Sequence, residues 1–165
     1  MVNAGSVETE GAELDYGFQA TRQLKFSGAL AYTKARIKHF QCPPGAAASC
    51  NVDGTPISSF TPDWKSYTRV DYGIPLGNGL DIELSSDYNW SDKTGSTLTE
   101  QGAYGIWNAS VALADYNKGW RVALLAKNLT DKSYSPLLAS GTGYIYRAAP
   151  PDHEPHLGVQ VRKDF

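Results

Sequence analysis

The chain has 165 residues and a formal net charge of -2, so it lacks the basic surface expected of a nucleic-acid-binding protein. Charged residues make up only 19 % of it and aromatic residues 12 %, including ten Tyr and four Trp. No apolar run approaches the roughly 18 residues of a transmembrane helix. A mean hydropathy of -0.38 does not exclude transmembrane strands, because these alternate apolar and polar side chains.

No signal peptide is predicted at the start of the chain, because residues 1–6 lack a basic start and an apolar core. The chain is therefore expected to be either cytoplasmic or a piece of a longer protein.

The first two strands are predicted to form an antiparallel hairpin. Residues 8–20 and 23–37 both alternate apolar and polar side chains, which gives each strand one apolar and one polar face. The short connection at residues 21–22 makes the pair antiparallel.

The next segment, residues 38–61, breaks the alternation and is predicted to be a long loop. It contains Pro43, Pro44, Gly45, Asp53-Gly54 and Pro56, which favour turns over regular structure.

Two further strands follow, over residues 63–76 and 80–90, joined by the tight turn Gly77-Asn78-Gly79. The segment Leu80–Trp90 has the clearest alternation in the chain. Leu80, Ile82 and Leu84 share one face, and the same face ends in Tyr88 and Trp90. Aromatic residues at the end of an apolar face are typical of a strand that passes from an apolar medium to water.

The rest of the chain predicts three more strands. They cover residues 103–115, 120–129 and 155–165, and a tight turn at residues 116–119 joins the first two. Loops are predicted over residues 92–101 and 135–152. The alternation is least regular in 120–129, because Leu125 lies on the nominally polar side.

The connections alternate between short and long, which favours a transmembrane barrel. In an up-and-down meander this places all tight turns at one end and all long loops at the other, as in outer-membrane barrels. Charged residues would then line an aqueous lumen and apolar residues would contact lipid. The alternative is a soluble antiparallel β-sheet binding module whose apolar face packs on a core, since aromatic residues favour strands in any sheet.

Three segments resemble the C-terminal barrel of TonB-dependent outer-membrane receptors. The first combines Gly11-Ala12-Glu13-Leu14 with Leu24–Thr33, the second is Lys127–Tyr134 with its Asn-Leu-x-Asp-Lys-x-Tyr pattern, and the third is Gly158–Phe165. The terminal aromatic residue Phe165, after Val159 and Val161, is similar to the signal read by the outer-membrane assembly machinery.

The resemblance implies an all-β fold: an antiparallel up-and-down meander of about seven strands, forming an incomplete segment of a transmembrane β-barrel of roughly 22 strands. Residues 1–165 would be the C-terminal segment, with the plug domain and the N-terminal strands absent. Seven is odd, whereas bacterial barrels use even counts, so the segment would not close by itself. The implied partners are outer-membrane lipid, the TonB system through the missing plug, the assembly machinery and a small nutrient ligand.

Five residues in the loops are candidate sites. Cys42 and Cys50 lie in one loop and fit a short disulfide in an oxidising compartment; a metal pair is the alternative, but it lacks partners at ligand spacing. His39, His153 and His156 are in or near loops, where ligand contact is less expected than simple surface exposure. Asp152-His153-Glu154 is expected to be a solvated loop end rather than a metal site.

No catalytic constellation is visible, and no cofactor is predicted. No Ser lies in a nucleophile elbow, and Gly141-Thr142-Gly143 is too short for a phosphate loop. The asparagines of three Asn-x-Ser/Thr patterns, Asn89, Asn108 and Asn128, are set aside as chance matches. The function implied by the resemblance is energy-coupled uptake of a scarce nutrient, such as a ferric siderophore complex. The outer loops 38–61, 92–102 and 135–154 would contribute to ligand binding, with individual contacts unknown.

Overall fold

A computed structural model describes residues 5–57, 61–95, 100–135 and 137–164. Seven strands form one antiparallel sheet in the order β1-β2-β3-β4-β5-β6-β9, which confirms the predicted meander, and β7 and β8 pair separately. The strands in the described residues are β1 (Ser6–Gln19), β2 (Leu24–Lys38), β3 (Trp64–Gly77), β4 (Leu80–Ser91), β5 (Tyr104–Asp115), β6 (Trp120–Lys127), β7 (Leu137–Gly141), β8 (Tyr144–Ala148) and β9 (His156–Lys163).

The predicted turn between β3 and β4 is confirmed. Gly77, Asn78 and Gly79 have φ values of 92°, 55° and 81°, a left-handed path that glycine follows without strain. A short 3₁₀ turn, Ala48–Cys50, lies in the loop after β2. No helix in the described residues has both the length and the apolar character needed to cross a membrane.

Two predicted boundaries are wrong. β6 ends at Lys127 instead of residue 129, because Asn128 has a φ of 51° and leaves the strand. Residues 135–152 are not a continuous loop, since they contain the β7–β8 hairpin, in which Gly141 pairs with Tyr144 around Thr142 and Gly143. Each of its strands has only five residues, too few for alternation to stand out between glycines and prolines.

The sheet has one exposed apolar face. Leu84 on β4, Val111 on β5 and Val159 on β9 are 38 %, 43 % and 69 % exposed, so the exposure extends across the sheet. The opposite face, called here the polar face, carries Lys25, Lys65, Arg69, Asp71, Glu83, Asp87, Arg121 and Lys127 by strand register. A soluble sheet would cover the apolar side with a second layer, and none of the described elements does so.

The apolar face ends at an aromatic pair near the long-loop end. Tyr32 and Trp64 are register partners on β2 and β3, with ring centroids 4.7 Å apart. One step further along the same face, Glu10 lies opposite Lys34. The change from aliphatic to aromatic to charged side chains is the pattern of a lipid–water boundary.

Polar atoms on the apolar face bond to each other. The Tyr16 hydroxyl lies 2.8 Å from Thr68 Oγ1, and its ring crosses directly over Gly28, where a Cβ would collide with it. Trp107 Nε1 donates to Ser86 Oγ at 2.7 Å. Such pairing matters in lipid, where an unpaired polar group finds no water.

Charge placed on the two faces of β5 should have unequal effects. Val111→Arg puts a cation on the apolar face and should destabilise the barrel by about 2–4 kcal/mol in lipid. Ser110→Arg, one residue earlier on the polar face, should cost less than about 1 kcal/mol, because an exposed charge there remains hydrated. Membrane-inserted protein, measured by fractionation and resistance to urea extraction, checks the prediction. Equal losses for the two variants would contradict the assignment of the faces.

Candidate functional site

The polar face is built around an ion pair that spans three strands. Arg121 Nε on β6 donates to Glu83 Oε2 on β4 at 2.7 Å, so the pair crosses over β5. Arg121 Nη1 also donates to Gln160 Oε1 at 3.2 Å, which extends the network to β9. The β5 residues beneath are Ala112 and Ala114, both 2 % exposed. Their small side chains leave room for the two long ones to lie flat across the sheet.

The second guanidinium on this face is also neutralised. Arg69 Nε and Nη2 both donate to Asp71, at 2.7–2.9 Å, from two residues away on β3. The fork geometry of arginine suits two-point contact with a carboxylate. Arg69 and Arg121 therefore present paired rather than free charge on the polar face.

Three asparagines form a network that joins β4 and β5 to the residue that follows β6. Asn89 Nδ2 and Asn108 Nδ2 both donate to Asp87 Oδ2, at 3.0 Å and 2.7 Å. The Asn128 backbone N–H donates to Asn108 Oδ1 at 3.0 Å. These are the asparagines of the three Asn-x-Ser/Thr patterns, so setting them aside missed a shared structural role. Position gave a partial signal, since Asn89 and Asn128 lie near the outer ends of predicted strands, whereas Asn108 lies in the interior of one.

Asn128 holds the segment after β6 against the sheet. Its side chain is 0 % exposed, and its Nδ2 donates to the carbonyl oxygens of Lys132 and Asp152, each at 3.1 Å. Its Oδ1 accepts from the Lys132 N–H at 3.0 Å and from Thr130 Oγ1 at 3.2 Å. This geometry gives a physical reason for the Asn-Leu-x-Asp-Lys-x-Tyr pattern, because one buried amide ties together two chain segments.

The last residue of that pattern, Tyr134, folds over the polar face. Its ring stacks on Tyr104 with centroids 4.6 Å apart, and its hydroxyl donates to Asp152 Oδ1 at 2.7 Å. Burial, and next the hydrogen bond to Asp152, raises the pKa of the Tyr134 phenol. Both causes favour the neutral hydroxyl, which is the form that can donate to a carboxylate.

A cavity of about 450 Å³ opens between these side chains and the outer ends of β2–β5. Its lining includes Tyr67, Asn89, Tyr104, Ile106 and Tyr134. Aromatic and apolar surface with a few amides and hydroxyls is typical of a small-molecule site. This cavity, called here the outer cavity, is the strongest candidate ligand site in the described residues.

The loop after β2 is braced in two ways. Cys42 and Cys50 are joined in a disulfide with a Cα–Cα distance of 5.9 Å. Backbone bonds from Gly54 N to Ile37 O at 2.8 Å and from Ile57 N to Ala35 O at 2.9 Å fold the loop back along β2. These backbone bonds extend the pairing of β2 beyond the start of β3.

The histidines do not converge. His153 Nδ1 lies 2.6 Å from the Pro150 carbonyl oxygen and its Nε2 lies 3.7 Å from Glu154, while His156 Nδ1 lies 3.2 Å from the Glu154 carbonyl oxygen. His39, with a φ of 54°, lies in the other loop. Among the described residues, no three His, Cys, Asp or Glu side chains are placed to share a metal ion.

Two of the three residues predicted to carry the assembly signal lie on β9. Val159 and Val161 are 69 % and 71 % exposed on the apolar face. Phe165 lies outside the described residues.

Comparisons with known proteins agree with this architecture. The sequence model of the family described as "TonB dependent receptor-like, beta-barrel" matches residues 1–129. The crystal structure of the ferric yersiniabactin uptake receptor FyuA from Yersinia pestis is similar in fold, with a TM-score of 0.77 at 15 % identity. That match covers 99 % of this chain and 24 % of the FyuA chain, so the chain spans about a quarter of that receptor's length. No curated protein matches the sequence.

An antiparallel sheet with an exposed apolar face and an ion-paired polar face is a portion of the wall of an outer-membrane β-barrel. The family match over residues 1–129 takes in most of the chain, and the chain belongs to the TonB-dependent receptor-like β-barrel family. Its compartment is therefore the outer membrane of a bacterium.

Removing the buried amide of Asn128 should destabilise the outer end of the sheet. Asn128→Ala deletes its side-chain hydrogen bonds and leaves partly buried backbone groups of Lys132 and Asp152 unpaired, so we expect a loss of about 2–4 kcal/mol. Asn89→Ala is the matched control, because Asn89 is exposed and its loss should cost under about 0.5 kcal/mol. Urea unfolding in detergent micelles measures both values. A loss for Asn128→Ala as small as that expected for Asn89→Ala would show that the side-chain contacts of Asn128 do not stabilise the fold.

The raised pKa of Tyr134 predicts a loss of stability in alkali. Its folded-state pKa exceeds the unfolded value of about 10, so its contribution is complete below about pH 10 and declines as the pH rises beyond that. The difference in unfolding free energy between the unsubstituted protein and Tyr134→Phe should therefore shrink above about pH 10. Denaturant unfolding from pH 8 to 11 measures it, and a difference that stays constant over that range would contradict the burial and Asp152 contact.

Proposed function

We propose that this chain is the C-terminal barrel segment of a TonB-dependent receptor that takes up a scarce nutrient, such as a ferric siderophore complex, across the outer membrane. The observation that carries the proposal is the division between the two faces of the sheet, within a chain of this receptor family. An apolar exterior and an ion-paired interior suit a wall between lipid and an aqueous lumen. The fold likeness to a ferric yersiniabactin uptake receptor supports the choice of cargo class.

The strand directions support a place in a larger barrel. The sheet holds seven strands, so β1 and β9 run in the same direction along its two edges. Antiparallel closure then needs an odd number of further strands, which the remainder of an even-stranded barrel supplies. A second copy in the same membrane orientation would meet this one with two parallel edges instead.

The partners follow from this placement. Lipid would contact the apolar face, and the plug domain, lying elsewhere in the receptor, would contact the polar face and couple it to the TonB system. The terminal segment with Val159, Val161 and Phe165 would carry the signal for the assembly machinery. The nutrient would bind at the outer loops and the outer cavity.

Energy-coupled uptake is directly testable in cells. A strain deleted for the receptor and complemented with it should accumulate a radiolabelled ferric trihydroxamate or ferric tris-catecholate under iron limitation. Removing the TonB protein should reduce accumulation to the level of the deletion strain while cell-surface binding persists, because binding precedes the energised step. Accumulation that continues without TonB, or that never depends on the receptor, would contradict the proposal.

A further inference from the structure

The charged residues that line the outer cavity determine which ligand charge it can bind well. Among the described residues that line it, the formal charges are Lys65 and Asp152, one of each sign. Asp152 already accepts a hydrogen bond from Tyr134 at 2.7 Å. The lining residues together therefore have no net charge and hold no cluster of cations.

Two arginines deeper on the polar face, Arg69 and Arg121, are already paired with carboxylates. Arg69 is paired with Asp71 at 2.7 Å, and Arg121 with Glu83 at 2.7 Å. Asp87, the carboxylate nearest the asparagine network, is held by two amide donors. A multiply anionic ligand would have to break one of these pairs to gain a guanidinium, and this would leave a carboxylate unpaired on a partly buried surface.

The other residues that line the cavity favour an uncharged ligand. The stacked Tyr104 and Tyr134 rings and the side chain of Ile106 offer apolar area, while Asn89 offers an amide. Neutral ligands gain from such surface without the desolvation cost that an unpaired charge carries.

We propose that the outer cavity selects chelates without net charge over multiply anionic ones. This inference rests on the proposed uptake function and narrows its substrate class. The selectivity arises in binding, since the lining offers contact to both kinds of chelate but only one cation, Lys65, against the several negative charges of an anionic chelate.

Two chelates of different charge test the selectivity in the full-length receptor that contains this segment, purified in detergent micelles. A ferric trihydroxamate has no net charge, whereas a ferric tris-catecholate is multiply anionic. Quenching of tryptophan fluorescence should give a Kd at least about tenfold lower for the neutral chelate, equivalent to about 1.4 kcal/mol. Equal affinities, tighter binding of the anionic chelate, or binding of neither would overturn the inference. Cellular uptake is measured separately, so a receptor that transports the anionic chelate would overturn the selectivity and leave the transport function standing.

A substitution in the cavity wall provides the matched control. Ala31 lines the cavity and is the register partner of Lys65, so Ala31→Arg adds a second cation beside the first. Ala31→Gln adds polar bulk without charge. Binding of the anionic chelate should improve about tenfold in the Arg variant relative to the Gln variant, with the neutral chelate changed by less than about threefold. No difference between the two variants would show that cavity charge does not control selection.

Discussion

The structure depends on a solvent constraint: one face of the sheet is apolar and exposed, and the outward face of an outer-membrane barrel is where unpaired polar groups and charges are costly. Continuous antiparallel pairing from β1 to β9 satisfies the backbone, and strict alternation sends charged side chains to the other face. Polar atoms that remain on the apolar face, such as those of Tyr16 and Ser86, bond to neighbours across the strands. The same constraint explains Gly28, since the Tyr16 ring reaches Thr68 only by passing over a residue without a side chain.

Because the charged residues are concentrated on one face, several of them form ion pairs with each other. Glu83 and Arg121 meet across β5 because Ala112 and Ala114 beneath them are small. Arg69 and Asp71 pair along a single strand. The two arginines nearest the middle of this wall are therefore paired, and the outer cavity beside them is lined by one cation, Lys65, and one anion, Asp152.

The outer end of the sheet is stabilised by side-chain hydrogen bonds, because strand pairing stops where the strands end in loops. Asn128 supplies them through a buried amide that bonds to Lys132 and to Asp152, which lie on either side of the β7–β8 hairpin. Tyr134 and Tyr104 then stack above the polar face and shape the cavity. The stability of the fold and the form of the candidate site thus share the same few residues.

The sequence alone determined the local features: the seven strands of the sheet, the two faces of each and the turn at residues 77–79. All of these depend on a two-residue period and on glycine, which can be seen in short segments. It did not reveal the contact of Glu83 with Arg121, the network of Asn89, Asn108 and Asn128, or the bond of Tyr134 to Asp152. Apart from the bond of Asn89 to Asp87, those contacts join residues 18 to 38 positions apart. They depend on strand register, and a change of register alters which side chains meet without changing the local pattern. Only the tertiary structure decided which polar residues became partners, and therefore what kind of cavity they form.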